Sequence, residues 1–191
     1  MWKRCFTVLC VTFGLSGCAA YVLVEPDQPA AIGAELVVDP QVSWARVAYP
    51  TTNGSLWTID GLGLNQLYFF TEVEAGKPMV RIQGQAKDAM PFYEESMIAT
   101  DVMELVETTL TRLGNQQVEA TNLRPAKFGP RNGFQFDLTM TSQGGLIVKG
   151  LCIAAQRDDE LDALLFLAAE EYYYELHRPV VEKVFASIRP E

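Results

Sequence analysis

The sequence predicts an α+β domain in which an antiparallel sheet of about six strands carries helices on both faces. Two neighbouring segments, Leu146–Ala155 and Leu161–Ala169, have apolar residues at both odd and even positions, so both of their faces must be covered. Short turns separate consecutive strand-like segments, which favours antiparallel pairing. Two amphipathic stretches, beginning at Thr100 and at Pro179, supply the two covers. Together these features predict an α/β/α sandwich.

The chain opens with a positively charged and then apolar segment. Lys3 and Arg4 precede the apolar run Cys5–Leu15, which is 11 residues long. That length is typical of a secretory signal peptide and is too short to cross a bilayer. No later apolar run approaches membrane-spanning length, because the longest is Ala163–Ala169.

The apolar run ends in Leu15-Ser16-Gly17-Cys18, which resembles the lipobox of bacterial lipoprotein signal peptides: an aliphatic residue, two small residues and a cysteine. The resemblance implies that Cys18 receives a diacylglyceryl group, that cleavage follows Gly17, and that the new amine is often acylated, for example with palmitate. Each buried methylene contributes about 0.8 kcal/mol, so two or three acyl chains anchor the protein to a membrane. Because Ala19 is not aspartate, the resemblance also implies the periplasmic face of the outer membrane if the host is Gram-negative. The alternative is an ordinary secretory signal in which Cys18 stands at this position by accident.

This interpretation divides the chain into three parts. Residues 1–17 are the signal peptide. Residues 18–34 are the lipid anchor and a tether, because they contain two prolines and many alanines without periodicity. Sixteen extended residues reach about 50 Å, enough to hold a domain clear of the bilayer. Residues 35–191 form a single domain.

In the first half of the domain, the sequence predicts short strands, one hairpin and a helix. Glu35–Asp39 is a candidate first strand, and Leu56–Ile59 pairs with Leu64–Val73 around an Asp-Gly turn that favours chain reversal. Thr100 is a favourable N-cap, and Asp101 complements the dipole of the helix that follows. The apolar stripe of that helix comprises Val102, Leu105, Val106, Leu110 and Leu113.

Further strands and a second helix complete the domain. Val118–Leu123 is the first of these strands, and Phe134–Thr141 alternates apolar with polar residues, as a strand with one dry face does. The two segments that are apolar on both faces, Leu146–Ala155 and Leu161–Ala169, follow; we call them the doubly apolar segments. Pro179 suits the first turn of the last helix, where its missing N–H costs nothing, and an apolar stripe continues to Ile188.

The order of these elements and the C-terminal sequence resemble the Mog1/PsbP-like family. The resemblance is carried by Leu164–Ala168, by Pro179–Arg189, by the strand containing Gly150 and by the helix start at Thr100-Asp101, and it covers about residues 35–189. It implies an α/β/α sandwich and non-enzymatic binding, since members of the family include photosystem assembly subunits, a Ran-binding protein and bacterial lipoproteins. No binding residue of the family maps onto this chain.

Charge and cysteine usage narrow the functions further. The formal net charge is −9, and it becomes −11 without residues 1–17, which hold two basic and no acidic residues. An acidic surface repels phosphate backbones, so we expect no nucleic-acid partner. Cys5 and Cys10 leave with the signal peptide and Cys18 is modified, so Cys152 has no partner for a disulfide. The apolar surroundings of Cys152 favour a buried structural thiol over a reactive one.

The sequence predicts no catalytic set, no metal site and no cofactor. His177 is the sole histidine, which excludes a site with two histidine ligands, and no Gly-x-Ser-x-Gly elbow would present a serine. We expect His177 to flank the start of the last helix rather than to act as a base. Adjacent carboxylates point apart, so we expect solvated surface rather than a glycosidase or calcium site at Glu94-Glu95, Asp158-Asp159 and Glu170-Glu171.

Two clusters are better suited to binding a partner. Tyr172, Tyr173 and Tyr174 are consecutive, so at least one ring should face solvent, and tyrosine is a favoured interface residue. A connector folded over the end of the sheet is the alternative for this cluster. The second cluster is a basic island that could dock an acidic partner or lipid head groups, or form a solvated loop; it comprises Arg124, Lys127 and Arg131.

The leading functional hypothesis is a lipid-anchored, non-catalytic binding or assembly module for another envelope protein, attached to the membrane through Cys18. The alternative is a carrier of an apolar ligand or lipid held between sheet and helix, which the aromatic-rich segment Leu67–Phe70 favours. A hydrolase that uses carboxylates is the third hypothesis.

Overall fold

The computed structural model describes residues 21–48, 55–81 and 90–191. The signal-peptide motif and the predicted lipidation site, Leu15 to Cys18, lie outside these residues. The described elements, in chain order, are β1 (Tyr21–Val24), β2 (Ala30–Ala31), β3 (Leu36–Val38), β4 (Trp44–Ala48), β5 (Ser55–Thr58), β6 (Asn65–Glu74), α1 (Ala99–Arg112), β7 (Gln116–Phe128), β8 (Arg131–Thr141), β9 (Ile147–Arg157), β10 (Glu160–Ala169), α2 (Tyr173–Ala186) and β11 (Arg189–Pro190). No helix in the described part of the chain is both long enough and apolar enough to span a membrane.

A single large sheet organises the domain. Its eight strands run in the order β1-β4-β5-β6-β10-β9-β8-β7, and every neighbouring pair is antiparallel. The sheet exceeds the expected six or so strands because β1 and β4 extend it beyond the β5–β6 hairpin. A second, small sheet has the order β11-β3-β2. The predicted strand at 35–39 is therefore confirmed as β3, but it pairs outside the main sheet.

The central strands are buried on both faces, as their doubly apolar sequences predicted. Along β10, Leu164 and Phe166 belong to the core beneath α2, whereas Leu165 and Leu167 belong to the core beneath α1. Successive side chains of a strand point to opposite faces, so one apolar strand serves two cores. The predicted class, an antiparallel sheet covered by a helix on each face, is confirmed.

The helix starts differ from those that the sequence predicted. α1 begins at Ala99, and the backbone N–H of Ile98 donates to the Asp101 carboxylate at 2.9 Å, so Thr100 is not the N-cap. α2 begins at Tyr173, which places Pro179 inside the helix. The prediction that Pro179 opens α2 was wrong because the apolar stripe extends further back: Tyr174 and His177 are buried and lie on the same side of the helix as Val181.

The segment expected to be a tether is folded from Tyr21 onward. β1 pairs along its whole length with β4, from Tyr21 opposite Val47 to Val24 opposite Trp44. Val24 and Ile32 are both buried in the core beneath α2. The sequence Tyr-Val-Leu-Val is rich in strand-forming side chains, and the burial of Val24 and Ile32 together with the pairing of β1 with β4 favours ordering of the segment. A tether over residues 21–34 is thus wrong, and only Ala19 and Ala20 lie between the predicted anchor, Cys18, and the first described strand.

Candidate functional site

An open groove of about 410 Å³ lies between α2 and the strands β7, β8 and β9. Its walls combine three basic side chains and one carboxylate with an apolar floor. The lining residues are Arg124, Ala126, Lys127, Gln135, Ile153, Arg178, Glu182, Phe185 and Ala186. We call this concavity the α2 groove.

Two members of the predicted basic island reach the α2 groove from β7. The sequence prediction placed them in a loop, but β7 continues to Phe128 and carries both Arg124 and Lys127 as the outermost strand of the sheet. The pairing of β7 with β8 is interrupted between Thr121 and Arg124, where Asn122 has a φ of 57°. Asparagine tolerates this left-handed conformation better than most residues, so the irregularity fits the local sequence.

Arg124 is fixed by contacts within β7 and β8. One guanidinium nitrogen donates to the backbone oxygen of Asn122 at 2.8 Å, and another contacts Asp137 Oδ1 at 3.1 Å. Asn122 Nδ2 also donates to Asp137 Oδ2 at 2.6 Å. Lys127 Nζ donates to Asn132 Oδ1 at 2.7 Å across the same hairpin. These contacts orient the two cations but leave further donors on each of them.

The third cation, Arg178, comes from α2 and was not among the predicted site residues. Its Nε contacts Glu182 Oε1 at 2.9 Å, one helical turn away, and its guanidinium lies 5.9 Å from the centroid of the Tyr174 ring. The hydrogen bond to Glu182 raises the pKa of Arg178, so this group stays charged. The spacing of Arg178 and Glu182 at i and i+4 predicts an ion pair on the surface of α2. The packing of α2 on β7, which the sequence does not reveal, brings Arg178 next to Arg124 and Lys127.

The α2 groove carries a small net positive charge, in contrast to the chain as a whole, because Asp137 and Glu182 pair with two of its three cations. Three of its lining side chains are cationic and one is anionic, whereas the formal net charge of the chain is −9. Arginine guanidinium groups bind carboxylates through paired N–H donors, and Phe185 and Ile153 offer apolar contact beside them. The arrangement is suited to holding an anionic group that carries an apolar neighbour. None of the lining residues is a serine, cysteine or histidine.

Arg131, the third residue of the predicted island, lies apart from the α2 groove and has a structural role. Its guanidinium contacts the buried Asp162 carboxylate at 2.6 Å and lies 4.9 Å from the centroid of the Phe128 ring. The other oxygen of Asp162 accepts from the backbone N–H of Glu72 at 2.9 Å. Glu72 lies at the irregularity in the β6–β10 pairing and has a φ of 57°. Arg131 and Asp162 together hold this bulge.

The three consecutive tyrosines do not form one surface. Tyr172 is 61% exposed, Tyr173 is half-buried, and Tyr174 is buried with its ring stacked on Phe166 at 5.8 Å between centroids. Helical geometry explains the division, because successive side chains at the start of α2 point in different directions. Tyr172 and the half-buried Tyr173, whose rings meet edge to face at 5.2 Å between centroids, remain accessible to a partner, and neither lines the α2 groove.

His177 also differs from its prediction, since it lies in the middle of α2 and is buried. Its Nε2 lies 2.6 Å from Asp60 Oδ2, and Asn65 Nδ2 donates to the same oxygen at 2.6 Å. These contacts connect α2 to the β5–β6 turn, which Thr58 and Asn65 also brace. The histidine that could have served a catalytic triad thus joins two elements of the fold.

Buried side chains fill most of the space between α1 and the sheet. Leu67, Phe69 and Phe70, which motivated the apolar-carrier hypothesis, are buried in the two cores. The cavity beside α1 that is lined by Tyr68, Phe70 and neighbouring residues has a volume of about 20 Å³. A volume of that order holds one water molecule, whereas small-molecule sites are typically about 300–1,000 Å³. A second, open concavity of about 280 Å³ lies at the C-terminal end of α1, where Leu110 and Leu113 face strands that carry Met140, Val148 and Leu167. The 20 Å³ cavity is too small for an apolar ligand, but this second concavity approaches the size of a small-molecule site, so the carrier hypothesis stays a prediction.

Within the described ranges, no three histidine, cysteine, aspartate or glutamate side chains are close enough together to bind a metal ion. Cys152 is fully buried at the centre of the sheet, as its apolar surroundings predicted. Burial raises the pKa of the Cys152 thiol far above its usual range, because a thiolate is poorly solvated there.

Comparison with known proteins gives the fold. No protein-family model and no curated protein matches the sequence. The chain is similar to the solution structure of cyanobacterial PsbP (CyanoP) from Synechocystis sp. PCC 6803, with 13% identity, a TM-score of 0.50, and coverage of 94% of this chain and 98% of that one. It also matches the crystal structure of LpqN, described as involved in cell envelope biogenesis of Mycobacterium tuberculosis, with 9% identity, a TM-score of 0.40, and coverage of 93% and 86%. The chain therefore has the α+β, PsbP-like fold that its sequence predicted.

Proposed function

We propose that this protein is a cell-envelope lipoprotein, anchored through Cys18, whose domain binds an acidic segment of another envelope protein in the α2 groove without catalysing a reaction. The observation that carries the proposal is the convergence of Arg124, Lys127 and Arg178 on one open concavity of an acidic chain. Scattered surface lysines and arginines would not meet in this way. Their concentration in a concave, partly apolar site favours recognition of an anionic partner.

The geometry favours a carboxylate-bearing peptide. Each arginine has five N–H donors, and the contacts to Asn122, Asp137 and Glu182 occupy only some of them. Those same contacts fix the guanidinium groups in place, which lowers the entropy cost of binding. The volume of about 410 Å³ is enough for a few side chains, and Phe185 and Ile153 give them apolar contact.

The anchor is tested separately from the groove. The intact mass of the native protein should show loss of residues 1–17 and a diacylglyceryl group on Cys18. The variant Cys18→Ala should no longer incorporate labelled palmitate, because the thiol that accepts the diacylglyceryl group is absent. Incorporation that persists in this variant would refute the lipoprotein assignment. Fractionation of envelopes on a density gradient would then place the lipidated protein in the inner or the outer membrane, and Ala19 favours the outer membrane in a Gram-negative host.

The groove is tested by crosslinking in cells that produce the lipidated protein. A photoreactive amino acid in place of Gln135, inside the groove, should crosslink to a partner whose captured peptide is rich in aspartate and glutamate. The double substitution Arg124→Gln and Lys127→Gln should reduce this crosslink at least tenfold, since each lost charge pair contributes on the order of 1 kcal/mol.

The matched control is Lys77→Gln with Arg112→Gln, which removes the same two charges from exposed positions away from the groove. Crosslinking should survive in that control and weaken as the salt concentration rises. A crosslink that is unchanged in the groove variant, or a captured peptide without acidic residues, would contradict the proposed binding mode.

A further inference from the structure

The outermost strand β1 exposes an apolar surface at the edge of the large sheet. Tyr21, Val22 and Leu23 are 53%, 49% and 61% exposed. Because successive strand residues alternate between faces, these three side chains extend from both sides of the edge. Exposed apolar strand edges are normally shielded by charge or covered, since they otherwise pair with other chains. β1 therefore presents a surface that needs a cover.

The position of the predicted anchor identifies that cover. Three residue steps separate Cys18 from Tyr21, and an extended chain spans at most about 3.6 Å per residue, so the two Cα atoms lie within about 11 Å of each other. A lipidated Cys18 sits at the polar boundary of the bilayer. The polar region of one leaflet is itself roughly 5–8 Å thick, so β1 cannot stand far above it. The short connection brings the apolar edge to the membrane surface.

We propose that β1 docks into the polar interface of the membrane next to the lipid anchor, so that Tyr21, Val22 and Leu23 contact lipid. This inference rests on the proposed lipidation of Cys18. Tyrosine is favoured at the membrane interface because its ring is apolar and its hydroxyl remains hydrated. Arg46 lies opposite Val22 in the β1–β4 pairing, so both side chains share one face of the sheet, as a cation beside apolar residues does in interfacial anchors.

The chemistry of the edge also limits how deep it sits. The outer backbone N–H and C=O groups of β1 need hydrogen-bond partners that the hydrocarbon core does not offer. The strand therefore stays among the head groups, where water and lipid oxygens are available. Glu25 and Asp27 follow the C-terminal end of β1, which is the end farther from Cys18, and both are exposed. Their charges favour a strand whose C-terminal end tilts away from the membrane.

Docking through β1 orients the α2 groove. β7, which carries Arg124 and Lys127, forms the opposite edge of the sheet, seven strand spacings from β1. With spacings of about 4.8 Å, the groove lies roughly 30 Å along the sheet from the docked edge. The membrane contact thus leaves the groove open to a partner within the envelope.

The test uses the full lipidated protein in phosphatidylcholine vesicles. An environment-sensitive fluorophore is attached to Val22→Cys or Leu23→Cys, and to Ile98→Cys or Leu176→Cys as controls at exposed apolar positions outside β1. Native labelling is selective because Cys18 is acylated and Cys152 is fully buried. Labels at 22 and 23 should shift to shorter wavelength and become at least threefold less sensitive to aqueous iodide on addition of vesicles, whereas labels at 98 and 176 should not change.

The outcomes separate this inference from the proposed anchor. A protein without a diacylglyceryl group by mass, which fails to float with vesicles, would refute the anchor. A protein that is lipidated and floats, but whose labels at 22 and 23 remain fully quenched by iodide, would overturn membrane docking by β1 alone. Shielding of position 23 without vesicles, together with a disulfide between two Leu23→Cys chains, would show that a second copy covers the edge and would also overturn it.

Discussion

Asp162 is the only carboxylate that is buried among the described residues, with 2% of its surface exposed. Its two oxygens are both used, one by the Arg131 guanidinium and the other by the backbone N–H of Glu72. Burial of a charge is unfavourable unless its partners replace the lost water, and here they do. The pair matters for the fold because it fixes the bulge in the pairing of β6 with β10.

We expect Asp162→Ala to lower the free energy of unfolding by about 3–5 kcal/mol, because it leaves Arg131 without its counter-charge and removes the acceptor for Glu72. Denaturant unfolding followed by circular dichroism measures this change. Glu104→Ala, which removes an exposed carboxylate from α1, should change stability by no more than about 0.5 kcal/mol. Equal effects of the two substitutions would show that the buried pair is not stabilising. Adding Arg131→Met to Asp162→Ala should recover part of the loss.

The second prediction at the residue scale concerns alkaline pH. Burial raises the pKa of Cys152 and of Tyr174, since both anions are poorly solvated inside the domain. In the unfolded chain these groups lose protons near about pH 8.5 and pH 10. The folded protein retains those protons, so their contribution to stability is complete below these values and declines as pH rises above them.

The free energy of unfolding should therefore fall between about pH 8 and pH 10, with a slope of up to about 1.4 kcal/mol per pH unit from Cys152. Cys152→Ala should make this decline shallower, which urea titrations at several pH values would measure. A slope that is identical in the variant would show that Cys152 titrates normally. The native thiol should also resist iodoacetamide until the chain unfolds.

At the scale of elements, periodicity predicted the buried part of the sheet well. The alternation in β8 and the doubly apolar sequences of β9 and β10 agree with their burial, because a core residue has few alternatives to an apolar side chain. The edges were less predictable. β1, β4 and the second half of β7 are short, irregular or exposed, and pairing with a neighbouring strand determines their conformation more than their own sequence does.

Pro179 shows how tertiary packing can override a local preference. It occupies the seventh position of α2, where it cannot donate a backbone hydrogen bond to the carbonyl of Glu175. Burial of Tyr174 and His177 before it, and of Val181 after it, keeps one continuous helix on the sheet. A local rule that places proline in the first turn therefore gave the wrong start for α2.

We expect Pro179→Ala to raise the free energy of unfolding by roughly 1–3 kcal/mol, because alanine restores the missing hydrogen bond at an exposed position. Chemical denaturation would measure the gain. Pro26→Ala is the matched control, since Pro26 lies in an exposed turn and its replacement should instead lower stability by up to about 1 kcal/mol through greater freedom of the unfolded chain. A loss of stability in Pro179→Ala would indicate that the proline is required in α2.

At the scale of the molecule, the candidate site was only partly predictable. The sequence identified Arg124 and Lys127 as a basic island, but Arg178 is more than fifty positions away along the chain and joins them only because α2 packs against β7 and β9. Arg131 is close to Arg124 and Lys127 in the sequence, but it lies after the β7–β8 turn and its guanidinium contacts Asp162 instead of lining the α2 groove. Proximity along the chain is a poor guide to which cations share a groove.

The ends of the described chain are also joined by contacts that the sequence does not reveal. The two-residue strand β11 pairs with β3, the Arg189 guanidinium contacts Asp39 at 2.7 Å, and the N–H of Asp39 donates to the Ser187 hydroxyl at 2.8 Å. Ile188 is buried between these contacts in the core beneath α2. Such short strands carry no periodic signal, yet they connect residues about 150 positions apart.

The last prediction tests whether this C-terminal closure supports the whole fold. We expect Ile188→Ala to lower the free energy of unfolding by about 2–5 kcal/mol, since it leaves a cavity where the small sheet meets the core and weakens the pairing of β11 with β3. Leu176→Ala removes a similar aliphatic side chain that is 47% exposed on α2, and its effect should be much smaller. Urea unfolding of both variants, followed by circular dichroism, makes the comparison. Comparable losses in the two variants would mean that the chain end is not part of the cooperative core.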